Sequence, residues 1–324
     1  MATMEQVKSL IRSHVSDQQE QFRVTALQVA AHEAVLGHSA IAHEIRNLID
    51  SKPAVRRPKV VPYTPDFENL VVRVDETIYR NAIVLNESVR GALDRIVAEY
   101  RGRTALEQYG LQYRRKILLV GPPGTGKTMT ASVLATALQL PLYRVCLDKI
   151  ITKYMGETSA KLRLLFESMH ERKGLYFFDE FDAIGSSRSD DNDVGEMRRV
   201  INSFLQFIEQ DPSDSVILAA TNNPRLLDAA MFRRFDDVLA YALPDVREIR
   251  RLYEDTLSRF ARPETVSVDL VSDSLTLSQA EIVRVCKDAM KEVVLKGRKE
   301  VCEVRLRELV AVRKRSRLRS FQEA

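Results

Sequence analysis

The segment GPPGTGKT at residues 121–128 constrains this chain more than any other. It fits the pattern G-x-x-x-x-G-K-[ST] in the context that pattern needs. The apolar run KILLV at 116–120 precedes it, and the helix-forming stretch MTASVLATALQL follows. Gly121, Gly124 and Gly126 let the backbone curl around Pro122, Pro123 and Thr125 until its N–H groups face phosphate oxygens. The helix beyond adds its positive N-terminal end. Lys127 is expected to reach the β- and γ-phosphates of a bound triphosphate, and Thr128 to ligand Mg²⁺ through its hydroxyl.

The flanking pattern supplies the architecture. Apolar strands read at LYRV (142–145), GLYFFDE (174–180) and SVILAATN (215–222), with helical stretches such as SAKLRLLFESMHE between them. Leu93, Ile96, Val97 and Tyr100 mark a helix upstream. Continuous apolar strands between amphipathic helices imply an α/β fold with a parallel sheet covered on both faces, here over 67–243. After Pro244 the pattern turns helical: Ile249 and Leu252 open one helix, and QAEIVRVCKDAMKEVV and VRLRELVAV form two more. Residues 244–321 are therefore expected as a separate helical domain with a basic tail. Residues 1–51 read as a small helical bundle, in which Val7, Leu10, Ile11 and His14, then Phe22, Leu27, Val29, Ala30, Val35 and Leu36, then Ile41, Ile45, Leu48 and Ile49 recur at helical spacing. Between them, Pro53, Pro58, Pro62 and Pro65 make 52–66 a stiff, extended linker.

Asp179 and Glu180 stand at the carboxyl end of the strand LYFF, the end at which open α/β sheets bind ligands. Asp179 suits a metal-associated carboxylate, and Glu180 suits a base that orients and deprotonates an attacking water. The pair turns a binding site into a hydrolytic one. Charge narrows the partners. The net charge is +4, and nine positive charges come from Lys52, Arg56, Arg57, Lys59, Arg313, Lys314, Arg315, Arg317 and Arg319, leaving the remainder at −5. A basic folded face for nucleic acid is thus not expected. No run approaches the about 20 apolar residues of a membrane span, and the N-terminus lacks the apolar core of a signal peptide, so the expected location is cytoplasmic. Cys146, Cys286 and Cys302 are far apart and read as reduced thiols.

Together GPPGTGKT, FFDEFDAI and ATNNPRLLDAAMFRRFDD resemble the core of the AAA+ ATPases, specifically the AAA families near spastin, katanin and the FtsH-type motors. The resemblance covers about residues 75–310. It implies ATP with Mg²⁺, a P-loop NTPase sheet with a helical AAA lid, and action as a homo-oligomeric ring, usually a hexamer. It also implies that Asn222 is the sensor contacting the γ-phosphate and the lytic water, and that Arg233 and Arg234 are arginine fingers acting on a neighbouring subunit's ATP. In the lid, Ser278, Gln279, Ala280 and Glu281 stand where the resemblance has S-G-A-D. Ala280 is retained near the nucleotide, and Gln279 replaces glycine. Ile83 or Val84 is expected to offer backbone contacts to the adenine.

DKIITKYMGETSAKLRLLF resembles the family's first pore loop and its following helix. Lys153, Tyr154 and Met155 would line a central channel and grip an extended polypeptide, with the helix starting near Thr158. The polar stretch SSRSDDNDVGE, 186–196, matches a second pore loop. HEAVLGH at 32–38 spaces His32 and His38 six apart, not the four of a zinc-protease motif, so these read as helix-surface or packing residues. The layout of helical N-domain, linker and single AAA module resembles bacterial sporulation-protein-type AAA proteins, some linked to a separate subtilisin-like protease. The expected activity is ATP-driven threading, unfolding or disassembly of a protein target chosen by residues 1–51. The alternatives are a nucleic-acid-linked motor or switch and a scaffold that ATP only stabilises.

Overall fold

A computed structural model describes residues 8, 19–35, 38, 41–45, 65–75, 77, 78, 82–152, 155–181, 191–224, 232–261 and 265–322. The chain divides into two compact units, Met1–Val60 and Val61–Ala324.

In the first unit, helix α1 (Gln19–Val35) buries Ala26, Val29, Ala30 and Glu33 along one face. Leu27, which the sequence pattern assigns to that stripe, is instead 37% exposed, because it sits one position off the 26/30/33 row. His38 Nδ1 lies 2.7 Å from Glu33 Oε2, so HEAVLGH closes on itself at the end of α1. The stripes through Val7, Leu10, Ile11 and His14 and through Leu48 and Ile49, and the segment 52–64, lie outside the described residues.

The second unit opens with helix α2 (Pro65–Leu70). Pro65 therefore starts a helix, where its fixed φ and missing N–H are tolerated, and does not extend the linker. There follow β1 (Val71–Val74), α3 (Glu87–Arg101), α4 (Arg103–Gln108), β2 (Lys116–Val120), α5 (Lys127–Leu138), β3 (Leu142–Val145), α6 (Leu147–Ile150), α7 (Met155–Glu171), β4 (Leu175–Phe178), α8 (Asp191–Gln210), β5 (Val216–Thr221) and β6 (Asp237–Ala240). The six strands form one sheet in the order β1-β3-β4-β5-β2-β6. Five are parallel as expected; β1 runs antiparallel to β3 at the edge. It enters directly from α2 and not through a strand–helix–strand crossover, so the rule that makes such strands parallel does not set its direction.

Successive core residues face opposite sides of the sheet. Leu118, Tyr176, Phe178, Ile217 and Ala219 join one cluster with α2, α7 and α8. Ile117, Leu119, Leu175, Phe177, Val216 and Leu218 join the other with α3 and α5. On the first face Phe204 of α8 packs its ring 4.7 Å from Phe181 and 5.0 Å from Phe178, which anchors the chain just beyond the end of β4.

Four further helices, α9 (Val246–Leu257), α10 (Val268–Asp273), α11 (Gln279–Leu295) and α12 (Glu303–Gln322), bury their own core around Ile249, Tyr253, Leu270, Ile282, Val285 and Leu306. Capping boxes at Asp245/Glu248 and Ser278/Glu281 fix where α9 and α11 begin. Burial pushes the Cys286 thiol in this core up to about 12, so it stays protonated and inert. Val84 packs in the helical core while its neighbours Ile83 and Leu85 pack under the sheet. One extended segment thus bridges the two. Among the described residues no helix is long and apolar enough to cross a membrane.

Candidate functional site

The loop 121–126 joins the carboxyl end of β2 to the start of α5, and the backbone there is one only glycine adopts easily. Gly121, Gly124 and Gly126 have φ of 154°, 77° and 98°. Each also sits against a neighbour. A Cβ on Gly121 would lie 2.3 Å from the Tyr241 carbonyl oxygen, one on Gly124 2.7 Å from Ser278 Oγ, and one on Gly126 3.2 Å from Ile83 Cδ1. Gly121→Ala should therefore destabilise the fold by about 2–5 kcal/mol through combined strain and overpacking. A lower urea midpoint at unchanged slope checks it; a midpoint equal to wild type would show that the loop relaxes freely.

Within the loop Lys127 is buried, and its ammonium donates to the carbonyls of Gly121 (2.7 Å) and Pro122 (2.8 Å). Thr125 Oγ1 donates to Pro122 O at 2.8 Å, which tightens the turn. Beneath it, Thr130 Oγ1 donates to Gly126 O and shares a buried 2.7 Å hydrogen bond with Tyr241 OH. Tyr241 N also donates to Val120 O. Tyr241 therefore braces both ends of the loop. Sequence reasoning missed it because its partner is 111 residues away and no local pattern marks it.

Across from the loop, Thr128 Oγ1 donates to Asp179 Oδ2 at 3.0 Å. These are hard oxygen donors of the kind Mg²⁺ prefers, so the pair fits that ion. Glu180 follows with φ 50°, a left-handed conformation that costs about 1–3 kcal/mol for a non-glycine residue. Its N–H donates to Asp179 Oδ1 at 3.0 Å, and its side chain is exposed. Strain of this kind is concentrated at functional sites. Asn222 directly follows β5, whose Thr221 pairs with Val120 and whose carbonyl accepts from Gly121 N at 3.2 Å. Thus the loop, Asp179, Glu180 and Asn222 gather at one end of the sheet.

The arginine pair does not join them. Asp236 accepts from the backbone N–H of Arg115 and of Lys116, both at 2.8 Å, which pins the start of β6 to the start of β2. Arg234 pairs with Glu209 at 2.8 Å, while Arg233 is exposed. Both therefore sit at the amino end of the strands, about 13 Å of strand away from the phosphate loop of their own chain.

The lid helices reach the loop from the other side. Ala280 N donates to Gly124 O at 3.0 Å, and Gln279 Nε2 lies 3.5 Å from Ala242 O. Lys153 and Tyr154 lie outside the described residues. Met155 opens helix α7, so that helix starts earlier than Thr158. Thr158 is instead buried and accepts from Thr152 N at 3.1 Å, tying the first turn of α7 to the residue at the end of the preceding segment. Of the polar stretch 186–196, residues from Asp191 onward are helical; 186–190 are outside the described residues.

Comparison with known proteins agrees with this geometry. The family model described as "ATPase family associated with various cellular activities (AAA)" matches residues 117–243. The chain is 37% identical over 312 residues to the "Uncharacterized AAA family ATPase y4kL" of Sinorhizobium fredii, covering 94% of this chain and 93% of that one. It is 30% identical over 262 residues to a proteasome-activating nucleotidase of Saccharolobus solfataricus, covering 76% of this chain and 66% of the relative. It is 32% identical over 220 residues to the peroxisomal ATPase PEX6 of Penicillium chrysogenum, of which it spans only 15%.

Proposed function

Because this chain belongs to the AAA family of ATPases and so hydrolyses ATP, we propose that it works as a homo-oligomeric ring, a hexamer, that spends each turnover on moving a protein substrate through a central pore. The observation that carries the proposal is the separation of Arg233 and Arg234 from the phosphate loop of their own chain. An arginine that cannot reach its own ATP serves the site only when a second subunit presents it. The family relatives named for proteasome activation and peroxisomal work support a protein substrate.

In this reading Lys127 and the N–H groups of residues 121–126 hold the phosphates. Thr128 and Asp179 would hold Mg²⁺, which would supply neutralisation of the charge that develops on the phosphates. Glu180 orients the attacking water and takes its proton, and Asn222 hydrogen-bonds the γ-phosphate and that water. Arg233 and Arg234 of the adjacent subunit stabilise the charge of the transition state, Arg234 leaving Glu209 to do so. Ala280 couples lid position to the loop through Gly124. Lys153, Tyr154 and Met155 grip the polypeptide. Residues 1–51 recruit the target in the cytoplasm, and a separate protease is a natural acceptor of unfolded product.

The Tyr154→Ala variant tests the threading step. It should abolish ATP-dependent unfolding of a tagged fluorescent substrate while keeping most of the basal ATPase, because residue 154 is remote in sequence from the phosphate loop and from Asp179 and Glu180. Normal unfolding by this variant would rule out grip through this loop.

A further inference from the structure

Tyr241 directly follows β6, and the chain passes from it to α9 and the helical unit. Its ring packs in the core under the sheet with Leu119 and Ala131. For packing alone a phenylalanine would serve there, and a buried hydroxyl is unfavourable unless it is hydrogen-bonded. The hydroxyl meets Thr130 Oγ1 at 2.7 Å, and Thr130 is itself fully buried. The direction of that bond is settled by the next one. Thr130 Oγ1 donates its single proton to the Gly126 carbonyl at 3.0 Å, an oxygen that can only accept. Tyr241 must therefore be the donor to Thr130. A relay thus runs from Tyr241 O–H through Thr130 O–H to Gly126 O, and successive bonds of this kind polarise and strengthen one another.

The Gly126 carbonyl already accepts the ordinary helical bond from Thr130 N at 2.9 Å. The relay is therefore a second donor on the same oxygen. That oxygen belongs to the peptide whose N–H is that of Lys127. The peptide is trans, so the two groups point in opposite directions. A carbonyl held along α5 by two donors keeps the Lys127 N–H pointing out of the N-terminal end of that helix. An N–H in this position has no intrahelical acceptor, and it is one of the donors by which a helix N-terminus holds phosphate. Gly126, at φ 98° and without a Cβ, does little to restrain this peptide itself. We propose, on the reading of residues 121–128 as a phosphate loop, that Tyr241 is a positioning residue for phosphate binding: through Thr130 its hydroxyl fixes the Gly126–Lys127 peptide in the orientation a nucleotide phosphate requires.

Equilibrium binding of ADP to the full chain tests this, with the urea midpoint measured on each variant. Lys127→Ala should lose ADP binding; wild-type affinity there would overturn the loop reading itself. With that loss seen, the Thr130 and Tyr241 variants judge the positioning role alone. Thr130→Val keeps the shape of the side chain and removes the hydroxyl, whereas Thr130→Ser keeps the hydroxyl and removes a buried methyl. The relay requires Thr130→Ser to bind ADP within about twofold of wild type, even at a lowered midpoint, and Thr130→Val to bind it about fivefold more weakly. Packing alone requires the reverse order. Tyr241→Phe should weaken ADP by the same factor as Thr130→Val. The double variant Tyr241→Phe/Thr130→Val should bind no more weakly than Thr130→Val, because each change breaks the same relay. Wild-type affinity in Tyr241→Phe overturns the proposal, as does the packing order at residue 130 or a double variant in which the two losses multiply. Should Tyr241→Phe not fold, the order of the two Thr130 variants decides.

Discussion

Replacing Glu180 by Gln leaves Mg²⁺-dependent ATP binding intact and lowers turnover by about 10²–10⁴-fold, the usual contribution of a positioned general base. The amide matches the carboxylate in shape and still hydrogen-bonds a water, but it cannot take the proton. The contacts that hold nucleotide are elsewhere: Lys127 lies in the loop, and Thr128 meets Asp179 at 3.0 Å. Glu180 touches this pair only through its backbone, whose N–H donates to Asp179, so changing its side chain should not loosen them. The left-handed backbone at residue 180 breaks the strand geometry there, and the side chain is exposed. Affinity from nucleotide titration and turnover from phosphate release separate the two effects. Turnover equal to wild type would sink the assignment of the base. With turnover stopped, the variant should remain assembled on its substrate, and a pull-down with it identifies the target.

What could be read from the sequence follows the reach of the forces involved. KILLV, LYFF and VILAAT are buried on both faces, so hydrophobicity alone marks them. The edge strands VVRV and DVLA escaped notice because half their residues face solvent and each is four residues long. The six-residue helix α10 is too short for a period to show. At the site, the glycines and Lys127 are legible because the chemistry is local to one turn. Tyr241 is not, since its bond to Thr130 spans the whole sheet in sequence. Gln279 was visible as a departure from glycine, but only the fold shows its carbonyl oxygen buried without a partner among the described residues.

The arginine pair gives the test with the largest consequence for assembly. Arg233→Ala alone should lower turnover by about 10³-fold, the lower range for an arginine finger, with ATP binding retained. Lys127→Ala should be inactive because it no longer holds phosphate. Mixed in equal amounts under conditions that exchange subunits, the two inactive proteins should recover activity. An interface works when an intact loop from an Arg233→Ala subunit meets an intact arginine from a Lys127→Ala subunit. Random assembly in a ring gives that arrangement at about one interface in four, so recovery should approach a quarter of the wild-type rate if sites act independently. Differently tagged subunits, co-purified, establish that mixed rings have formed. Mixed rings with no recovered activity would mean that Arg233 acts within its own chain, against its place at the amino end of the strands, and an Arg233→Ala protein as active as wild type would mean that it has no part in hydrolysis. Recovery, in contrast, has no explanation in a monomer, because neither chain alone contains a complete site.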